Sequence, residues 1–176
     1  MFVTFRLAGS LPVNRVFPPA RCSSGEAFVA MDRLLDQAAH GPVFLRQHAI
    51  AKIVVDAIRD GDARFSRYEL HAFVVMPNHV HLLVTPRVTA KQWLGPLKGF
   101  TAHQANRVLG RHAPFWQEES YDHLVRDGEE FRRVQQYIEN NPVTSGLVRS
   151  PECFPWSSAA GLLVSPAGKP AAGSKA

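Results

Sequence analysis

The stretch Val75-Met76-Pro77-Asn78-His79-Val80-His81-Leu82-Leu83-Val84 sets two histidines one residue apart inside an apolar run. Side chains on a strand alternate faces with period two, so His79 and His81 point the same way from one strand. Two imidazoles side by side on a rigid element are what a divalent metal site needs from a protein. The same pattern also suits a strand that exposes both histidines to water and buries Val80 and Leu82, and three residues alone do not separate the two readings. The surrounding chain has to decide.

Immediately upstream, Tyr68 to Met76 reads as a second strand, divided from His79 to Thr85 by Pro77-Asn78. Proline cannot donate to a ladder, so this point is a bend, bulge or tight turn. Met1-Phe2-Val3-Thr4-Phe5-Arg6-Leu7 alternates apolar with polar residues and reads as a first strand. It lacks the basic region and long apolar stretch of a signal peptide. Helical spacing appears over Glu26–Ala39, in Phe28, Met31, Leu34 and Leu35, and again over Phe44–Arg59, in Leu45, Ala49, Ile53 and Ile58. Asp60-Gly61-Asp62 is expected to stop the latter helix.

Downstream, Thr89 can cap a helix running toward Gly110, with Leu97, Thr101, Ala105 and Leu109 on one face and a break expected at Gly95-Pro96. A short extended segment follows at Phe115-Trp116-Gln117. Asp127 with Glu130 three residues on opens a further helix in the manner of a capping box. Phe131, Val134 and Ile138 give it an apolar stripe, and Asn141-Pro142 is expected to end it. Ser165 to Ala176 has no periodicity and reads as a disordered tail behind a single domain of residues 1–164. The resulting class is α+β: one antiparallel sheet of about four to five strands with helices packed on it.

The bulk properties narrow the function. A chain of 176 residues, 45% hydrophobic and 20% charged, is ordinary for one soluble domain with its own core. The sequence has no apolar run long enough to span a bilayer, so no membrane partner is expected. Cys22 and Cys153 are the only cysteines and lie far apart, which argues against a thiolate zinc site and fits reduced thiols in a cytoplasmic protein. A net charge of +5 favours a polyanionic partner moderately.

Of the three tyrosines, Tyr137 falls mid-helix among apolar neighbours and reads as core. Tyr121 sits in the polar run Glu118-Glu119-Ser120-Tyr121-Asp122-His123 after an aromatic anchor, well placed to be presented into a cleft, although a half-buried surface tyrosine is the default reading of these residues alone.

The run from His71 to Val84 resembles the signature of the single-tyrosine HUH transposases, named for histidine, a hydrophobic residue, then histidine. The downstream pieces resemble one branch of that IS200-like superfamily, the REP-associated tyrosine transposases. In order they are Leu97-Lys98, Asn106-Arg107, Phe115-Trp116-Gln117, Tyr121-Asp122-His123, Arg126-Asp127 and Tyr137-Ile138-Glu139-Asn140-Asn141-Pro142, running into Gly146-Leu147-Val148. The resemblance spans roughly residues 1–160 and implies a ferredoxin-like HUH nuclease fold.

It also implies metal-dependent cleavage of single-stranded DNA at or near a hairpin or REP-like repeat, through a 5′-phosphotyrosine intermediate. On that basis Tyr121 is expected to be the nucleophile, with His79 and His81 as ligands of Mg²⁺ or Mn²⁺. Related enzymes often place a glutamine one helical turn beyond the tyrosine as a further ligand. Val125 stands at that spacing from Tyr121, so His123 is taken as the third ligand, with a surface histidine or phosphate contact as the competing role. Lys98, Arg107, Arg111 and Arg126 are expected to contact phosphates and Trp116 to stack on bases.

The protein would act in the cytoplasm, on the nucleoid when bound to DNA, as a monomer or a homodimer. A catalytically inactive, domesticated relative that only binds hairpins is the competing reading. A metal-dependent hydrolase of small phosphoesters would add carboxylate ligands, and none flank His79 or His81.

Overall fold

A computed structural model describes residues 1–11, 35 and 41–163. The helix expected over Glu26–Ala39 (Leu35 apart), the tail from Ser165, and Cys22 lie outside the described residues. Among the described residues no helix is long and apolar enough to cross a membrane.

Four strands form one antiparallel sheet: β1 (Phe2–Arg6), β2 (Tyr68–Val75), β3 (His79–Pro86) and β4 (Tyr121–His123), in the order β2-β3-β1-β4. β2 and β3 are a hairpin turning at Pro77-Asn78, closed by Met76 N donating to His79 O at 2.9 Å. The Phe115-Trp116-Gln117 segment continues along β1, through a Leu7–Trp116 bridge and Gln117 N donating to Arg6 O at 2.8 Å. The outer edge of β2 is covered by the late chain, where Val75 N donates to Trp156 O and Val74 bridges Ser157.

Alternation along the strands gives the sheet two apolar faces. Val3, Phe5, Val80, Leu82 and Val84 face a layer made by α1 (His48–Ala63) and α2 (Ala90–Leu109). Phe2, Ala72, Val74 and Leu83 face the other way, toward α3 (Gly128–Thr144), which supplies Ile138 with half-buried Phe131, Val134 and Tyr137. His79 and His81 are on this second face and fully buried, which excludes the solvated-strand reading.

The helices depart from expectation in four places, the first being that α1 starts at His48, after a separate 3-10 turn at Phe44–Arg46, and not at Phe44. α1 runs through Asp60-Gly61-Asp62 to Ala63, and its buried stripe is Ile50, Ala51, Val54, Val55, Ile58 and Gly61, with Ala49 exposed. Gly61 is required by packing rather than by a turn: a β-carbon there would collide with the Tyr68 hydroxyl, which donates to Ile58 O at 2.7 Å. α2 continues unbroken past Gly95-Pro96. Burying Trp93 and Leu97 on either side of Pro96 opposes its cost of about 3 kcal/mol. α3 likewise passes Asn141-Pro142, both buried, and ends at Thr144.

The start signals hold. Thr89 caps α2, its backbone N–H donating to Gln92 Oε1 at 3.1 Å, and Gly110 ends it in the left-handed region at φ 61°. Asp127 caps α3, accepting from Glu129 N at 2.9 Å and Glu130 N at 2.8 Å.

Candidate active site

The register of the sheet assembles the site. Thr4 on β1 pairs with His81 on one side and Tyr121 on the other, so the three form a row across β3, β1 and β4. His79 lies two residues along β3 on the same face, opposite Arg6.

The two imidazoles converge, with Nε2 of His79 and Nε2 of His81 3.0 Å apart. Each ring is held from behind. His79 Nδ1 is 2.7 Å from Asn78 Oδ1, and Asn78 Nδ2 donates to Leu35 O at 2.9 Å, which fixes the amide with its oxygen toward the histidine. An amide oxygen only accepts, so the His79 hydrogen sits on Nδ1 and the lone pair on Nε2. His81 Nδ1 is 2.8 Å from Thr4 Oγ1, a hydroxyl that can donate or accept. When Thr4 donates, His81 carries its hydrogen on Nε2 and gives it to His79. When Thr4 accepts, both Nε2 lone pairs face the same point.

The second arrangement fits a divalent ion. Two donors about 2.1 Å from one ion at a right angle are about 3 Å apart, the separation found here. The backing from Asn78 and Thr4 is the outer shell such ligands need to keep their orientation. Among the described residues no group of three histidine, cysteine, aspartate or glutamate side chains is placed to share a metal. An ion held by the pair would need neutral oxygen donors or a substrate to complete its coordination.

His123 shares the Tyr121 face, but it pairs with Phe2, one row beyond Thr4. Two strands across and four residues along put it roughly 16 Å from His79, backbone to backbone. Its Nε2 lies 2.8 Å from Glu130 Oε1, and the same carboxylate accepts from Arg126 N at 2.7 Å. Those two hydrogen bonds, the backbone one first, hold the Glu130 carboxyl below the usual carboxylate range. His123 thus ties β4 to the start of α3 instead of joining the histidine pair.

Two tyrosines share the face of the pair, and the rings packed against His81 include one that the sequence pattern placed in the core, Tyr137. The Tyr137 ring on α3 lies 5.7 Å from the His81 ring, centroid to centroid. Phe2 sits between the tyrosines, 6.3 Å from each ring. Asn141, one turn beyond Tyr137 and 2% exposed, has Nδ2 3.5 Å from the Tyr137 hydroxyl. Tyr121 is half-buried and two strands from His81, about 10 Å between backbones. A signal for Tyr137 was present in Tyr137-Ile138-Glu139-Asn140-Asn141: a polar amide stands four residues after the tyrosine, where Tyr121 has Val125.

The residues expected to bind DNA fall into two groups. Arg107 and Arg126 are exposed. Lys98 instead directs its ammonium to Gln117 O and Glu118 O, each at 2.8 Å, and to Ser120 Oγ at 3.0 Å, clamping the loop before β4. Burial pushes its pKa down, against the attraction of Glu119 and Glu118. Arg111 donates to Pro114 O at 3.1 Å and stacks its guanidinium 4.8 Å from the Phe44 ring. Trp116 is core, 7% exposed, edge-on to Phe5 and donating Nε1 to Thr101 Oγ1 at 2.9 Å, so its ring offers no platform for a base.

A single open antiparallel sheet bearing a buried histidine pair beneath a tyrosine helix defines the class to which known proteins can be compared. The solved structure of a REP-associated tyrosine transposase bound to a REP hairpin has the same fold, with a TM-score of 0.52 and 20% identity over 89% of this chain and 73% of that one. The REP-associated tyrosine transposase of Escherichia coli K12 is 28% identical over 115 residues, 63% of this chain and 61% of that protein. The chain spans about three fifths of the length of the curated relatives it matches. The family model described as transposase IS200-like matches residues 46–141, more than half of the 176. The chain belongs to that family of transposases.

Proposed function

We propose that this protein cleaves and rejoins single-stranded DNA at or near a hairpin through a phosphotyrosine intermediate, with Tyr137 as the nucleophile in place of Tyr121. The observation that carries the proposal is the Tyr137 ring beside His81, with Asn141 one helical turn further on. His79 and His81 would hold a divalent ion, Mg²⁺ or Mn²⁺, with Asn141 as the protein's oxygen donor. When bound, that ion supplies positive charge against the non-bridging phosphate oxygens and helps orient the phosphate.

The chain's own residues do the rest. Tyrosine has a pKa near 10, so its phenol is a weak nucleophile until activated, and burial against His81 presents it in one orientation. The Tyr137 oxygen forms a bond to phosphorus as the bond to the 3′ oxygen breaks. One strand then ends in a 5′-phosphotyrosine and the other in a free 3′-hydroxyl. The phenol loses one proton and the 3′ oxygen gains one, so the exchange is balanced. The phosphodiester energy stays in the new bond, and the reverse attack by a 3′-hydroxyl rejoins DNA without nucleotide hydrolysis. Phosphoryl transfer is largely positioning and electrostatics, so few groups suffice. Exposed Arg107 and Arg126 would hold backbone phosphates, while Lys98 keeps the β4 loop in place.

The test is covalent attachment to a hairpin oligonucleotide with single-stranded flanks, read on a denaturing gel. Attachment should require Mg²⁺ or Mn²⁺, stop with excess chelator, and be lost in His79→Ala and His81→Ala proteins that keep their thermal unfolding midpoint within a few degrees. Adduct in the double histidine variant would refute the metal half-site. Hairpin binding with no adduct from the unaltered protein would favour the inactive, hairpin-binding reading.

A further inference from the structure

On the sheet face away from the histidines, the end of α1 and the first half of α2 enclose a cavity of about 240 Å³. That is below the range of about 300–1,000 Å³ for ordinary small-molecule sites, and suits one planar ring system. Its floor is Tyr68, Trp93 and Leu97. Trp93 is fully buried, and among the described residues its indole Nε1 has no hydrogen-bond partner, a donor whose burial costs free energy until something accepts from it.

The rim carries two exposed phenylalanines: Phe65 is 49% exposed and Phe100 54%. Two guanidinium groups stack on Phe65, with Arg64 Cζ 5.3 Å and Arg67 Cζ 4.9 Å from the ring centroid. Against these two cations the lining holds one carboxylate among the described residues, Asp60. The loop presenting Phe65 also contains Ser66 at φ 48°, a left-handed conformation unusual outside glycine.

We propose that this cavity seats a single unpaired base of the DNA strand, flanked by phosphates on Arg64 and Arg67. Aromatic walls take the π-face of any base, and arginines beside them neutralise the backbone, the usual chemistry of single-strand recognition. Tyr68 pairs with Pro86, at the far end of β3 from His79. Five to seven residues of strand put Tyr68 about 16–23 Å from the two histidines, backbone to backbone, as a second hold on the substrate remote from the chemistry. The inference rests on the DNA-processing role proposed above.

Fluorescence anisotropy with full-length protein tests it, using one hairpin oligonucleotide with single-stranded flanks and one without. The Phe65→Ala/Phe100→Ala protein should bind the flanked hairpin about ten-fold more weakly than the unaltered protein and the blunt hairpin equally well. Both positions are exposed, so the unfolding midpoint should stay unchanged and report an intact fold. An abasic site moved along the flank should weaken the unaltered protein at one position and cost the variant nothing there.

Equal affinity of variant and unaltered protein for the flanked hairpin would overturn the proposal, as would the absence of any coupled abasic position. If the unaltered protein binds DNA and forms its adduct while the variant matches it, only the cavity assignment fails. If the unaltered protein binds neither oligonucleotide, the DNA-processing role fails and this inference falls with it.

Discussion

At the scale of single residues, Thr4 is the hinge of the histidine pair. Its hydroxyl decides which nitrogen of His81 carries the hydrogen, and only the accepting rotamer leaves both Nε2 lone pairs available. Thr4→Val keeps the shape and removes that choice, leaving His81 Nδ1 without its buried partner. Metal affinity, measured by calorimetric titration with Mn²⁺, should fall by about 10–100-fold, the usual cost of losing an outer-shell partner. Affinity within two-fold of the unaltered protein would mean that the hydroxyl does not orient the ring.

The same scale explains what could be read from the chain. His79 and His81 were legible because strand periodicity alone puts them on one face. The packing of Tyr137 on His81 was not, because a phenol among apolar helix neighbours has the pattern of a core residue until the sheet face opposite it is known to carry histidines. Trp116 failed for the converse reason: an aromatic in a polar segment looks available, and only the register beside Leu7 buries it.

At the scale of elements, local signals located the capped helix starts of α2 and α3 well, and the uncapped start of α1 and the helix ends poorly. Caps at Thr89 and Asp127 act through the nearest backbone N–H groups, so sequence suffices to find them. Gly61, Pro96 and Pro142 are judged by tertiary packing, which outweighed the local breaker rule at each.

Gly61 offers a direct check. Gly61→Ala adds a β-carbon where the Tyr68 hydroxyl sits, and should destabilise the protein by about 1–3 kcal/mol in urea unfolding despite the better helix propensity of alanine. Adding Tyr68→Phe should recover part of that loss by removing the colliding oxygen. A stabilised Gly61→Ala protein would contradict the packing described.

The α3 start carries a pH dependence. Asp127 is held below its ordinary pKa chiefly by the Glu130 and Glu129 backbone N–H groups, and Glu130 by the Arg126 N–H and His123. A depressed folded-state pKa contributes stability above the unfolded value that is lost as pH falls through the folded one. Unfolding free energy should therefore be level near neutrality and decline as pH drops below about 4. Asp127→Asn, which keeps an acceptor but cannot titrate, should flatten that decline.

At the scale of the whole molecule, one sheet divides two tasks. The α1–α2 face is the larger apolar core and holds Trp116, so Trp116→Ala should cost about 3–5 kcal/mol of stability, read by chemical unfolding. The opposite face brings β1, β3, β4 and α3 together from residues 2–6, 79–86, 121–123 and 128–144. The α+β class and three of the four strands were visible in the sequence, since each is a local pattern, whereas β4 read only as a polar segment. Which tyrosine meets the histidines depends on how α3 lies across the sheet, and that is a long-range fact.

The central claim is that Tyr137 beside His81 is the attacking group. After reaction of the unaltered protein with a flanked hairpin oligonucleotide and Mn²⁺, nuclease trimming and tryptic mass spectrometry locate the residual nucleotide on one peptide. The account predicts it on Tyr137, with attachment abolished by Tyr137→Phe and retained by Tyr121→Phe. A nucleotide on Tyr121, or full adduct in the Tyr137→Phe protein, would contradict it.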